Sequence, residues 1–136
     1  MVMRTVHTEQ MKTFVEAVRQ RAELANYVEA HQLCRACLEV LGETISGGEA
    51  KQLAQWLPDE LGGELATQHG EASRFDKPSF LDKVGGKIHS VESERVEQQV
   101  SAVLNTTRAA APPDELADTI AQLPPELSAM FEPNPR

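Results

Sequence analysis

Aromatic side chains are scarce in this chain, with one Trp, one Tyr and four Phe among 136 residues. A core must therefore be assembled from Leu, Val and Ala, each large aliphatic contributing roughly 1.5 to 3 kcal/mol when buried. Cysteine is as rare. Cys34 and Cys37 lie inside one helical pattern, which is not the framework of a secreted, disulfide-stapled domain. Basic charge is short in both halves: residues 1–66 hold six basic and ten acidic side chains, residues 67–136 hold seven and eleven, and the net charge is -8. Phosphate backbones and anionic membrane surfaces are gripped by clustered Lys and Arg, so neither nucleic acid nor membrane is expected as a partner. No stretch approaches the roughly twenty apolar residues that cross a bilayer. Residues 1–10 carry Arg4 with no apolar run behind it, so no signal or transit peptide is expected and the expected location is the cytoplasm. Runs of alternating apolar residues are missing too, and strands are not expected.

What the chain does contain is one amphipathic helical pattern after another. Thr8 is placed to cap a first helix, in which Met11, Phe14, Val15 and Val18 fall at i, i+3, i+4 and i+7 and which fades near Arg21. Asn26 with Glu29 reads as a capping box. Ala30, Leu33, Cys34, Cys37, Leu38, Leu41 and Ile45 then hold helical spacing for about five turns. Ser46-Gly47-Gly48-Glu49 ends that helix and starts another, with Ser46 and Glu49 set to cap reciprocally. Ala50, Leu53, Ala54 and Leu57 mark a short third helix. Pro58 stops it, because the ring removes a donor and clashes with the preceding turn, and a fourth helix carries Leu61 and Leu65.

Residues 67–77, with Gly70, Ser73 and mixed charge without a period, read as a linker. Beyond it the same outline returns. A shift of 66 positions lays Leu57-Pro58-Asp59-Glu60-Leu61 on Leu123-Pro124-Pro125-Glu126-Leu127, and also Phe14 on Phe80, Val18 on Val84, Leu38 on Leu104 and Glu49 on Glu115, with no gap. Pro78 opens the second copy, Gly85-Gly86 should end its first helix early, Ser90 can cap its long helix, and Pro112-Pro113-Asp114-Glu115 replaces the serine and glycine turn. The expected fold is all-α. Two tandem four-helix repeats, 8–67 and 78–131, joined by a linker at 68–77, pack into one compact helical domain centred on Leu38 and Leu104, and 132–136 form a disordered tail. At this length folding hides roughly two-thirds of the unfolded chain's surface.

The pattern Phe14-Val15-x-x-Val18, Cys37-Leu38-Glu39-Val40-Leu41-Gly42, Ser46-Gly47-Gly48-Glu49 and Leu57-Pro58-Asp59-Glu60-Leu61 resembles the bacterial domain-of-unknown-function family 2267. Its second pass is Phe80-Leu81-x-x-Val84, Val103-Leu104, Asp114-Glu115 and Leu123-Pro124-Pro125-Glu126-Leu127. The resemblance covers roughly residues 11–131. It implies an all-helical two-repeat protein of the bacterial cytoplasm without an established activity, and it brings no catalytic residue with it.

Candidate chemistry is thin. His31-x-x-Cys34-x-x-Cys37 invites a metal, but successive steps of three along a helix fan the side chains over roughly 120° and 9 Å, too far to converge on one ion. Zinc usually takes four ligands, and no second Cys pair or His-x3-His set accompanies these; the cysteines read as small core hydrophobes. Glu60 and Glu126 recur at equivalent places, as do Glu49 and Glu115, each in the first turn of a helix where the dipole favours negative charge. His7, His31, His69 and His89 share no spacing with a serine, cysteine or carboxylate that would define a triad. No catalytic residue, metal site or cofactor is assigned, and an enzyme is not the favoured reading. Trp56 is the residue singled out: its copy is Gln122, so the fold does not need an indole there, and it either plugs the seam between repeats or contacts a partner. The favoured reading is a non-enzymatic interaction or structural module that binds an unidentified protein, or itself, at the junction of the repeats. The alternative is a ligand-binding or enzymatic protein with a pocket at that junction.

Overall fold

Helical spacing in the sequence becomes helices in the protein. The computed structural model describes residues 2–66, 76–88 and 93–132, and for 2–8 and 93–94 the backbone alone. These residues form α1 (Val2–Ala22), α2 (Tyr27–Thr44), α3 (Gly47–Ala54), α4 (Asp59–Leu65), α5 (Lys77–Ile88), α6 (Ser93–Ala110), α7 (Pro113–Ala121), α8 (Pro125–Ser128) and a closing 3-10 turn, Ala129–Phe131. There is no strand among the described residues. Among them, too, no helix is long and apolar enough to cross a membrane.

Several helix ends differ from the sequence expectation. α1 starts at Val2, so Thr8 lies inside the helix and does not cap it; with no Pro or Gly between residues 2 and 22, nothing interrupts the pattern. α5 runs through Gly85-Gly86 to Ile88 instead of stopping early. A helical glycine costs about 1 kcal/mol relative to Ala, and here buried Val84 before the pair and Ile88 packed on the core after it carry the apolar stripe across. Lys77, placed in the linker above, is the first residue of α5, and the Asp76 carboxylate accepts from the Ser79 amide at 3.0 Å to cap it. The rest of the linker, 67–75, lies outside the described residues, as do Ser90 and 133–136 of the tail. Glu132, expected to fray, is tied to α6, where Asn105 Nδ2 donates to its carbonyl at 3.2 Å.

The two long helices form the middle of the packing. α2 rests against α1, α4, α5 and α6, while α6 rests against α1, α2, α5 and the 3-10 turn. Leu38 and Leu104, expected at the centre, have essentially no exposed surface. Phe14 and Phe80 are both buried, on α1 and α5. α6 has the more polar inner face, as Gln99 and Thr107 are buried where α2 has Leu33 and Leu41. The Thr107 hydroxyl donates to the Val103 carbonyl at 2.9 Å, so its burial leaves nothing unpaired. α2 and α4 approach so closely at Gly42 that a Cβ there would fall 2.2 Å from the Leu65 carbonyl oxygen. Only glycine fits that crossing.

The two proline corners share one backbone. Pro58 (φ -54, ψ 145) precedes α4 and Pro124 (φ -59, ψ 150) precedes α8. Pro112 (φ -64, ψ 153) likewise takes the conformation of Ser46 (φ -66, ψ 155), so a proline start replaces a serine cap without changing the path.

Candidate functional site

The turn between α3 and α4 shapes an open, largely apolar groove. The amides of Trp56 and Leu57 donate to the Leu53 and Ala54 carbonyls at 3.0 and 3.1 Å, tightening the end of α3 before Pro58 redirects the chain. Leu57 and Pro58 turn inward and are buried, and Trp56 beside them is left 47% exposed. Beneath it runs a groove of about 680 Å³ floored by Phe14 and Ala17 of α1, Leu57, and Ala109 and Ala110 of α6. Both halves of the chain line it, and Arg21 Nη1 donates to Thr106 Oγ1 at 2.8 Å between α1 and α6. Thr106 in turn donates to the Ala102 carbonyl, so part of the groove's polar lining is spent on holding its walls.

No indole stands 66 positions beyond Trp56. Gln122, 66 positions later, accepts from the Ser46 amide at 2.7 Å and points its Nε2 at Ser46 Oγ at 3.4 Å, closing the end of α7 over the α2–α3 turn. The position matching Ser46 is Pro112, which has no amide hydrogen to offer. The chain's single indole thus sits where a reciprocal closure is chemically ruled out.

A second hollow of about 520 Å³ lies between α1 and the start of α4, against Met11, Tyr27 and Pro58. Two of the carboxylates on its rim are already engaged: Glu16 with Arg19 at 2.6 Å, Glu60 with His31 at 3.1 Å. His31 also stacks on Tyr27, with ring centroids 6.1 Å apart. Neither contact involves a cysteine. Cys34 and Cys37 are fully buried; burial pushes the Cys34 thiol up to about 12, and burial together with the neighbouring Cys34 pushes the Cys37 thiol well above its ordinary value. At neutral pH both are neutral thiols, poor metal ligands and poor nucleophiles. Of the other histidines, His69 and His89 lie outside the described residues, and the side chain of His7 is among those not described.

Glu60 and Glu126, equivalent in sequence, do separate work. Glu126 Oε1 accepts from the Lys77 amide at 3.0 Å, at the N-terminus of α5. Glu49 and Glu115 behave otherwise, and the sequence reading missed it. Ser46 caps α3 as expected, accepting from the Glu49 amide at 3.2 Å, but the Glu49 side chain does not fold back to complete a box. It crosses to α7, where Thr119 Oγ1 donates to its Oε2 at 2.6 Å. One carboxylate oxygen each from Glu49, Glu115 and Asp118 lies within 4.8 Å of the others, the one group among the described residues with metal-ligand spacing. Two unit charges at that distance repel by about 3.5 kcal/mol at an effective dielectric constant of about 20. Glu49 is 7% exposed. Its burial, its hydrogen bond with Glu115 and the negative charges of Glu115 and Asp118 push its carboxyl up to about 7, against a lowering by Thr119. Glu115 Oε2 is buried with no hydrogen-bond partner. The signal in the sequence was that the two glutamates lie 66 residues apart, each early in a short helix, which does not say that they meet.

A helical chain with these paired corners also matches at the level of families. The model described as "Uncharacterized conserved protein (DUF2267)" covers residues 11–130. The chain belongs to that family. Among curated proteins nothing matches it.

Proposed function

We propose that this protein is a non-enzymatic helical module that holds another protein through the Trp56 groove. The observation that carries the reading is Trp56 itself, a large side chain left 47% exposed over an apolar floor that both halves of the chain supply. Trp is enriched among residues that dominate binding energy, because a rigid aromatic gains much buried area at little entropic loss. A groove floored by Phe14, Ala17, Ala109 and Ala110 suits one or two apolar side chains from an amphipathic helix. The acidic surface, at net charge -8, favours a protein partner over nucleic acid, and neutral buried thiols suit the cytoplasm.

The same reading takes the chain as two copies of one four-helix unit, 8–67 and 78–131. α2 and α6 are both 18 residues long and start 66 positions apart. The packing is reciprocal: α1 rests on α6 as α5 rests on α2, and α3 meets its own counterpart α7. On that reading the Trp56 groove falls at a junction of the copies, and the contact of α1 with α6 supports it.

Replacing Trp56 by Ala tests the function. The variant should keep a cooperative melt and lose about 2 kcal/mol or more of binding energy, roughly thirtyfold in Kd. Capture from native extract on immobilised wild-type and W56A protein, with sedimentation of the wild type over a range of concentrations, reads both a foreign partner and a second copy. Equal capture by the two proteins, with no concentration dependence in the sedimentation of the wild type, would sink the proposal.

A further inference from the structure

The α3–α7 contact brings together side chains that repel. Glu49 from α3 meets Glu115 and Asp118 from α7, all with oxygens within 4.8 Å of one another, and Glu49 is held there almost entirely out of water. The other helix packed on α3 is α4, and its charged groups are occupied elsewhere: Glu60 with His31, Glu64 with Arg35 at 2.9 Å, and Asp59 on the rim of the hollow beside α1. Lys51 on α3 itself is exposed. The charges acting on Glu49 are the two α7 carboxylates, both negative. With Glu49 buried and Glu115 half-buried, joint ionisation of these two is disfavoured, while the exposed Asp118 adds a further negative charge that solvent screens. A single proton held between two of them removes the clash and turns one acceptor into a donor, as in other carboxyl pairs. It also supplies what Glu115 Oε2 lacks, since that oxygen is buried and unpartnered. Thr119 cannot help it, because its hydroxyl is already committed to Glu49 Oε2.

We infer that Glu49 and Glu115 form a pH-sensitive latch between α3 and α7, shut while the pair holds one proton and loosened when that proton leaves to solvent. The neutral bonds beside it, Ser46 with Gln122, remain as the hinge of the contact. Opening the latch loosens α3 from α7, while α4 still packs on α3. The device stands apart from the groove: the latch can be right even if Trp56 binds nothing.

The sign of the effect follows from linkage. A carboxyl raised to about 7 in the folded protein, from 4.5 when free, keeps its proton while the unfolded or opened chain gives it up. Its stabilisation is full below about pH 4.5, is lost as pH rises through about 7, and changes little beyond. Hydrogen exchange of α3 and α7 amides at constant ionic strength reads this directly, with Glu49→Gln as the reference so that the ordinary acceleration of exchange by base cancels. The wild-type opening equilibrium, relative to the variant, should rise by up to about tenfold per pH unit between pH 5 and 7 and level off above. Glu115→Gln should remove the same slope, and the double variant should remove no more. Should Glu49→Gln fail to fold, Glu115→Gln and a carbon-13 titration of the glutamate carboxyls carry the test alone. A wild-type profile parallel to that of Glu49→Gln would overturn the latch. So would a rise in melting temperature on adding magnesium chloride at pH 7 that Glu115→Gln abolishes, because the pair would then be holding a cation instead of a proton.

Discussion

Leu38 and Leu104 show how little of a single residue's importance lies in its type. Both have essentially no exposed surface, on α2 and α6, and both were placed at the centre from spacing alone. Changing either to Ala removes buried methyl groups and leaves a cavity that the rigid neighbours fill only in part. Each change should cost about 2 to 5 kcal/mol in a urea melt; a loss below about 1 kcal/mol for both would mean that neither is central. Such residues are legible because burial leaves a periodic mark. Glu49 left a different mark. Its position after Ser46 suggested a capping box, and its recurrence at Glu115 suggested a helix-dipole role, but nothing in one helix says where a side chain goes when another helix lies within reach. Thr119, its partner at 2.6 Å, is 70 residues away. Trp56 fell between these cases: the lack of an indole 66 positions on, at Gln122, was visible, and its half-exposure required the turn to be built.

Helix ends were less legible than helices. α2 starts where Asn26 said it would, with Asn26 Oδ1 accepting from the Glu29 amide at 2.9 Å, because a side-chain cap is a local event written in three or four residues. α1 and α5 ran past their expected ends: no proline or glycine interrupts α1 around Thr8, and the buried Val84 with Ile88 packed on the core carries α5 across Gly85-Gly86. The stop of α1 was not marked by a glycine at all. Glu23 adopts φ 57, the left-handed conformation, and lets the Leu24 amide reach the Arg19 carbonyl at 3.0 Å. Glycine normally fills that role because a Cβ is strained there. Glu23→Gly should therefore raise stability by about 0.5 to 1 kcal/mol, after allowing for the greater freedom glycine has when unfolded. A destabilised variant in chemical denaturation would show that the Glu23 side chain does more than turn the corner.

At the level of the whole molecule, all-helical character followed from the sequence, while the way the halves cross did not. Periodicity gives each helix a buried face without naming the helix it faces. α1 rests on α6 as well as on α2, and α5 on α2 as well as on α6, so each half finishes the other's core. Residues 1–66 and 76–136, expressed separately, should each show little helix by circular dichroism and regain it when mixed in equal amounts. A cooperative thermal transition in either piece alone would contradict that dependence. The crossing also bears on how the protein is made. Arg21 is bonded to Thr106, 85 residues further on, and at roughly 5 to 20 residues per second a ribosome takes about 4 to 17 seconds to cover that distance. Throughout that interval the face of α1 that meets α6 lacks its later neighbour, even with α2 against the helix, which makes the nascent chain a natural client for a chaperone at the exit tunnel.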